Sequence, residues 1–277
     1  MNPRTIDDGH DDFGGLHRDL AATRAAIDRR GLFRLAAVFG AGVGALQLIG
    51  CASNPTSPSE SGGNSTGGGS CSARIPEETQ GPFPADGSNG PSVLSFGGVV
   101  RSDIRSSFAG LNGTAAGVPL TIELTIVSVS TCSPLAGRAV YIWHCDRAGG
   151  YSLYSQGVTN QNYLRGVQEA DANGRVSFTS IFPGCYAGRW PHIHFEVYPS
   201  LAGATSASSK VATSQIALPK SASDQVYAQS GYAGSAANSA QVTLASDGVF
   251  SDGATLELAT VTGSAATGLT ATLTIAI

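Results

Sequence analysis

The chain has 277 residues, of which 36 are Gly and 13 Pro; 42% are hydrophobic, 13% are charged, and the net charge is −4. An intrinsically disordered chain would be poorer in apolar residues, and a coiled coil would hold a heptad that this Ala, Gly, Ser and Thr-rich sequence lacks. Net negative charge and only two lysines, Lys210 and Lys220, leave no electrostatic case for nucleic acid as a partner.

The chain opens on an address. Arg29-Arg30-Gly31-Leu32-Phe33 leads into an apolar run over residues 35–49, which ends in Leu48-Ile49-Gly50-Cys51. The run is short for a membrane span, which takes about 20 residues, and suits the core of a signal peptide. The twin arginine marks the Tat export route, and the final four residues resemble a lipobox. Residues 1–50 are therefore expected to be a signal peptide, removed before an acylated Cys51 that anchors the protein at the cell envelope. The alternative is an uncleaved N-terminal anchor. The Tat class carries folded cargo, often with a metal already inserted. Residues 51–70 are mostly Ser, Gly, Pro, Asn and Thr, the composition of a flexible tether. A folded domain is expected over residues 71–277.

Within that domain, residues 120–126 alternate apolar and polar, as a strand with one buried face does. Val127 and Val129 reverse the parity, which suggests a bulge or a second buried face. Further strands are expected at 139–144, 175–182 and 192–198, with two or three more over 241–277. Asp171-Ala172-Asn173-Gly174 is a strong turn signal. Only residues 223–229 look helical. Many short strands with frequent turns point to an all-β fold, an antiparallel β-sandwich of immunoglobulin-like or transthyretin-like shape with long loops. Four cysteines follow Cys51: Cys71, Cys132, Cys145 and Cys185. In an exported protein they allow two disulfides in three connectivities, and Cys145 and Cys185 could equally be free.

The chemistry concentrates in a few residues. His192 and His194 stand two apart on an expected strand, so both rings share one face and can meet one metal. Tyr186 follows the Pro183-Gly184 turn six residues before His192. Tyr151 ends the loop that begins at Trp143-His144-Cys145-Asp146. No carboxylate motif accompanies them. A phenol ionises unaided at a pKa of about 10, so two tyrosine ligands call for a strong Lewis acid, and ferric iron meets that better than zinc or magnesium. Two other readings compete: a zinc hydrolase, which lacks a usual third ligand, and a non-catalytic binding module on the same sandwich.

As an ordered set, Glu78-Thr79-Gln80-Gly81-Pro82-Phe83, Trp143 through Tyr151, Leu164-Arg165-Gly166, Asp171 through Gly174, Pro183 through Tyr186 and Arg189 through His194 resemble the intradiol ring-cleavage dioxygenases. The resemblance runs from about Cys71 to the C-terminus and is weakest after Ala202. It implies one non-haem Fe(III) held by Tyr151, Tyr186, His192 and His194. It implies Tyr186 as the ligand that substrate displaces and Arg189 as the group that stabilises charge on the bound ring. Gln215, Gly81 and Pro82 would border the substrate. The implied reaction is cleavage of a catechol-type diol by O2 to a cis,cis-muconate-type diacid. The span from Tyr186 to His192 is shorter than in protocatechuate enzymes, and Cys185 replaces the commoner aromatic or Pro. The helical dimerisation segment of catechol 1,2-dioxygenases is missing, which leaves a homodimer open.

Overall fold

The alternation of Leu120, Ile122, Leu124 and Ile126 with Thr121, Glu123 and Thr125 produces β1, Pro119–Val127, whose apolar side is buried and whose polar side is not. The computed structural model describes residues 73–277. The signal peptide, the tether and Cys51 lie outside the described residues. The other strands are β2 (Ala139–Trp143), β3 (Arg165–Glu169), β4 (Arg175–Ile181), β5 (His192–Tyr198), β6 (Ala212–Ala217), β7 (Thr260–Ser264) and β8 (Gly268–Ala276). They form two four-stranded sheets, ordered β4-β1-β8-β7 and β3-β2-β5-β6. The sheets pack face to face: Leu120, Ile122, Leu124 and Phe178 of the first meet Val140, Ile142, Ile193, Phe195 and Ile216 of the second in one core. Among the described residues no helix is long and apolar enough to cross a membrane.

Two expectations need correction. The sandwich is not wholly antiparallel, because β1 and β8 run parallel from Leu120↔Leu269 to Val127↔Ala276. A hairpin would force opposite directions; the long excursion between these strands removes that constraint. No bulge breaks β1. The strand ends at Val127, residues 128–133 turn, and the last residue of the chain covers the end of the strand through Ile277 N–H to the Val127 carbonyl, 3.0 Å. Among the described residues two α-helices form rather than one: α1, Lys220–Tyr227, overlaps the expected helix, and α2, Ala233–Ser239, is additional. Its Ala-Gly-Ser-Ala-Ala-Asn-Ser sequence has no apolar stripe. Tertiary hydrogen bonds support it, from Cys185 N–H to Ser235 Oγ (2.9 Å) and from Asn238 Nδ2 to the Cys185 carbonyl (2.8 Å). The cysteines take the second of the two arrangements the sequence left open. Cys132 is disulfide-bonded, with its partner outside the described residues, whereas Cys145 and Cys185 are buried free thiols.

The outer face of the second sheet positions the site. All seven residues of β5 are buried. Ile193, Phe195 and Val197 point into the inter-sheet core, so His192, His194, Glu196 and Tyr198 take the opposite face. That face is roofed rather than solvated. Phe83, Ala85, Val93, Leu94 and Val99 pack over Tyr141, Trp143, Tyr151 and Tyr198.

Candidate metal centre

Two central strands and two loops bring the site together. On β5, His192 and His194 point out of the roofed face, with Nε2 atoms 3.1 Å apart. Trp143, opposite His194 in the β2–β5 ladder, lies flat on the His194 ring at 5.0 Å and 2°, and Tyr141 stacks on Trp143 in turn.

Tyr151 arrives from the loop after β2. Asp146 organises that loop by accepting the Ala148 and Gly150 N–H groups on Oδ1, at 2.9 and 3.0 Å. Tyr186 arrives from the loop after β4, where Gly188, at φ +80°, helps turn the chain back toward β5. The two loops are stitched together by Gly184 N–H to the Asp146 carbonyl, 3.0 Å. Gly149 lets Tyr186 sit close, since a Cβ there would lie 3.1 Å from Tyr186 Cβ.

Tyr151 Oη lies 3.3 Å from His192 Nε2 and 3.2 Å from His194 Nε2, and Tyr186 Oη lies 3.3 Å from His192 Nε2. Donors that share one metal at bonds of about 2.0–2.1 Å stand roughly 3 Å apart, so this spacing fits a single ion. The donor chemistry fits as well. His192 Nδ1 is 2.5 Å from the Trp190 carbonyl, which can only accept, so Nδ1 carries the proton and Nε2 presents a bare lone pair. Burial lowers the His192 pKa from 6.5 to about 3, with Arg189 adding to the effect. Burial, then the charge of His192, likewise holds His194 well below its ordinary value. Both rings are thus neutral ligands at neutral pH. Among the described residues no group of three or more His, Cys, Asp and Glu side chains could hold a metal, so an ion here needs the phenol oxygens. Two phenols and two neutral imidazoles suit a trivalent iron better than zinc.

Arg189 is buried beside this set. Its Nη2 donates to Gln215 Oε1 at 2.7 Å and its Nε to Asp247 Oδ2 at 3.0 Å. Gln215 stands opposite His194 in the β5–β6 ladder and donates Nε2 to the Thr79 carbonyl at 2.8 Å. Burial alone would raise the Asp247 carboxyl, but the charge of Arg189 and the Trp190 N–H outweigh it and hold the group below its usual range. Gly81 and Pro82 are buried in the roof, Gly81 N–H on Thr79 Oγ1 and the Pro82 carbonyl on Asn89 Nδ2. Their neighbour Phe83 packs on the Tyr151 ring at 4.9 Å. Arg165 serves as a strut, joining Ser152 to the Pro84 carbonyl of the roof. His144 is a buried hydrogen-bonding residue between the Cys145 carbonyl and Ser180 Oγ. Farther along β5, Glu196 accepts Lys210 Nζ at 2.7 Å and Tyr198 Oη at 2.6 Å, and burial pushes its carboxyl up to about 7.

The structure therefore brings all four expected ligands and both Arg189 and Gln215 into one site. Sequence reasoning missed Asp247, whose Ser246-Asp247-Gly248 setting reads only as a turn. It also missed Trp190, whose carbonyl sets the tautomer of His192.

A family model described as Dioxygenase matches residues 101–193, which include Tyr151, Tyr186 and His192 and stop one residue short of His194. The fold is similar to that of an intradiol ring-cleavage dioxygenase from Tetranychus urticae at 26% identity, with a TM-score of 0.58, covering 75% of this chain and 95% of that one. A second solved structure, that of a dioxygenase, is similar with the same identity and TM-score over 94% of its length. No curated relative matches the chain.

Proposed function

The chain belongs to the intradiol ring-cleavage dioxygenase family, and from that premise we propose that Tyr151, Tyr186, His192 and His194 hold one Fe(III) ion for cleavage of a catechol-type diol by O2 to a cis,cis-muconate-type diacid. The observation that carries the reading is the convergence of two phenol oxygens and two imidazole nitrogens at 3.1–3.3 Å on one roofed face.

Ferric iron, when bound, supplies a Lewis acid that two adjacent hydroxyls can chelate and that draws electron density from the ring, opening its carbon to dioxygen. The rest falls to the chain's own side chains. Tyr186 is the more exposed of the two phenols and sits on a loop, so its Oη is the group suited to receive a proton from an incoming diol. Tyr151 is almost wholly buried, packed by Phe83, and stays in place. His192 is locked in one tautomer by Trp190 and cannot turn away. Arg189 offers a fixed positive charge to the negative charge that a deprotonated diol spreads over its ring, with Gln215 holding one edge of its guanidinium. The roof of residues 83–99 keeps bulk water from the stacked His194–Trp143–Tyr141 side.

Purified, iron-loaded protein should show a visible tyrosinate-to-iron charge-transfer band and take up O2 with a catechol. In Tyr186→Phe, ring cleavage should fall by about 100-fold or more. Colourless protein containing zinc, or full activity in that variant, would remove the reading.

Export through the Tat route and lipid attachment at Cys51 complete the proposal. They are supported by Arg29-Arg30, the apolar run at 35–49 and Leu48-Ile49-Gly50-Cys51. Cys51→Ala should move the enzyme from the membrane to the soluble fraction.

A further inference from the structure

We propose that Asp247 is the positioning residue of this site: one buried carboxylate that sets both the guanidinium of Arg189 and the backbone from which His192 is hung. The inference deepens the ring-cleavage reading above and rests on it.

Asp247 is wholly buried, and four donors converge on its two oxygens. Oδ2 accepts Arg189 Nε at 3.0 Å and the Trp190 N–H at 2.7 Å. Oδ1 accepts the Val249 and Phe250 N–H groups at 2.8 and 3.1 Å. Oδ1 thereby holds the two N–H groups that lead into the short 3-10 turn Phe250–Asp252, a structural duty that needs only that oxygen. Oδ2 faces the site instead. Through Arg189 it reaches Gln215, the partner of His194 in the ladder, and through Trp190 it holds the residue whose carbonyl fixes His192 Nδ1.

None of these bonds touches a candidate ligand atom, so Asp247 acts through its neighbours. An arginine is a long, rotamer-rich side chain, and a guanidinium presented to a ring needs a fixed direction. An ion pair on Nε with an amide on Nη2 supplies one. Misplacing such a group by about 1 Å can cost about 100-fold in rate. The same carboxylate neutralises the buried guanidinium, which would otherwise be an unpaired internal charge.

Asp247→Asn tests the proposal on the full-length, iron-loaded enzyme. The amide keeps the shape, but whichever way it is turned its NH2 must face two N–H groups. The expected result is a kcat lower by about tenfold or more with KM changed less than about threefold, and a charge-transfer band displaced at equal iron content. In an Arg189→Met background the same change should lower kcat by less than about twofold further, because the group it acts through is already gone. Wild-type kcat and band with only a lower Tm would overturn the proposal, as would an equal loss of kcat in both backgrounds. If D247N does not fold, R189M/D247L removes both charges together and is compared with R189M. A displaced band then supports the hold on Trp190, and an unchanged band overturns it. Wild-type enzyme that shows no band and cleaves no catechol would instead sink the ferric reading itself.

Discussion

His144 shows how one buried side chain writes itself into stability. Its ring lies between the Cys145 carbonyl and Ser180, and burial lowers its pKa from 6.5 to about 4. Between those values the unfolded chain binds a proton that the folded chain refuses. The contribution of His144 to stability is therefore complete above pH 6.5 and is lost as pH falls toward 4. Thermal melts between pH 4 and 7 should show a shallower decline in His144→Asn than in the wild type; equal slopes would contradict this account. Gly149 makes a second residue-scale case. At φ +90° it has room only up to the Tyr186 Cβ, whereas Gly137, at φ +75°, faces open space. Alanine at either position should cost about 1–3 kcal/mol of backbone strain. Only Gly149→Ala should also displace the charge-transfer band of the iron-loaded protein.

At the scale of elements, β5 does two jobs with one period. Its odd-numbered residues, Ile193, Phe195 and Val197, hold the two sheets together; its even-numbered residues carry the site. Ile193→Ala should lose about 2–5 kcal/mol in urea unfolding, because it opens a cavity between packed sheets. Thr272→Val, on the exposed face of β8, should stay within about 0.5 kcal/mol. The strand was legible from its alternation. The burial of both its faces was not, because the roof comes from residues 83–99, far away in sequence. The same holds for α2, whose composition gives no helical stripe and whose place depends on the Tyr186 loop. The parallel β1–β8 pair is a third instance: apolar alternation predicts strands but carries no direction.

Across the whole molecule, the cysteines divide by environment. Burial pushes Cys145 well above its ordinary pKa and Cys185 up to about 12, so neither presents a thiolate at neutral pH. Iodoacetamide at pH 8 should leave both unmodified in the native protein and label them after denaturation, as read by peptide mass spectrometry. Rapid native labelling of Cys185 would show that the Tyr186 loop opens. Cys132 instead sits in a disulfide, so reduction should lower Tm without removing the site, whose two loops are joined by hydrogen bonds rather than sulfur.

The order and identity of the four residues that converge on the roofed face were readable without a structure. HxH on a strand needs only a period of two, and the tyrosines stand beside turns that Gly and Pro announce. The strands themselves were readable for the same local reason. Only the tertiary structure decided which sheet each strand joined, what roofed the outer face, which cysteines stayed reduced and that the partner of Arg189 is Asp247, 58 residues away. Those outcomes depend on contacts between distant segments, where a side chain's partner is set by how the sheets stack and no short-range pattern records it.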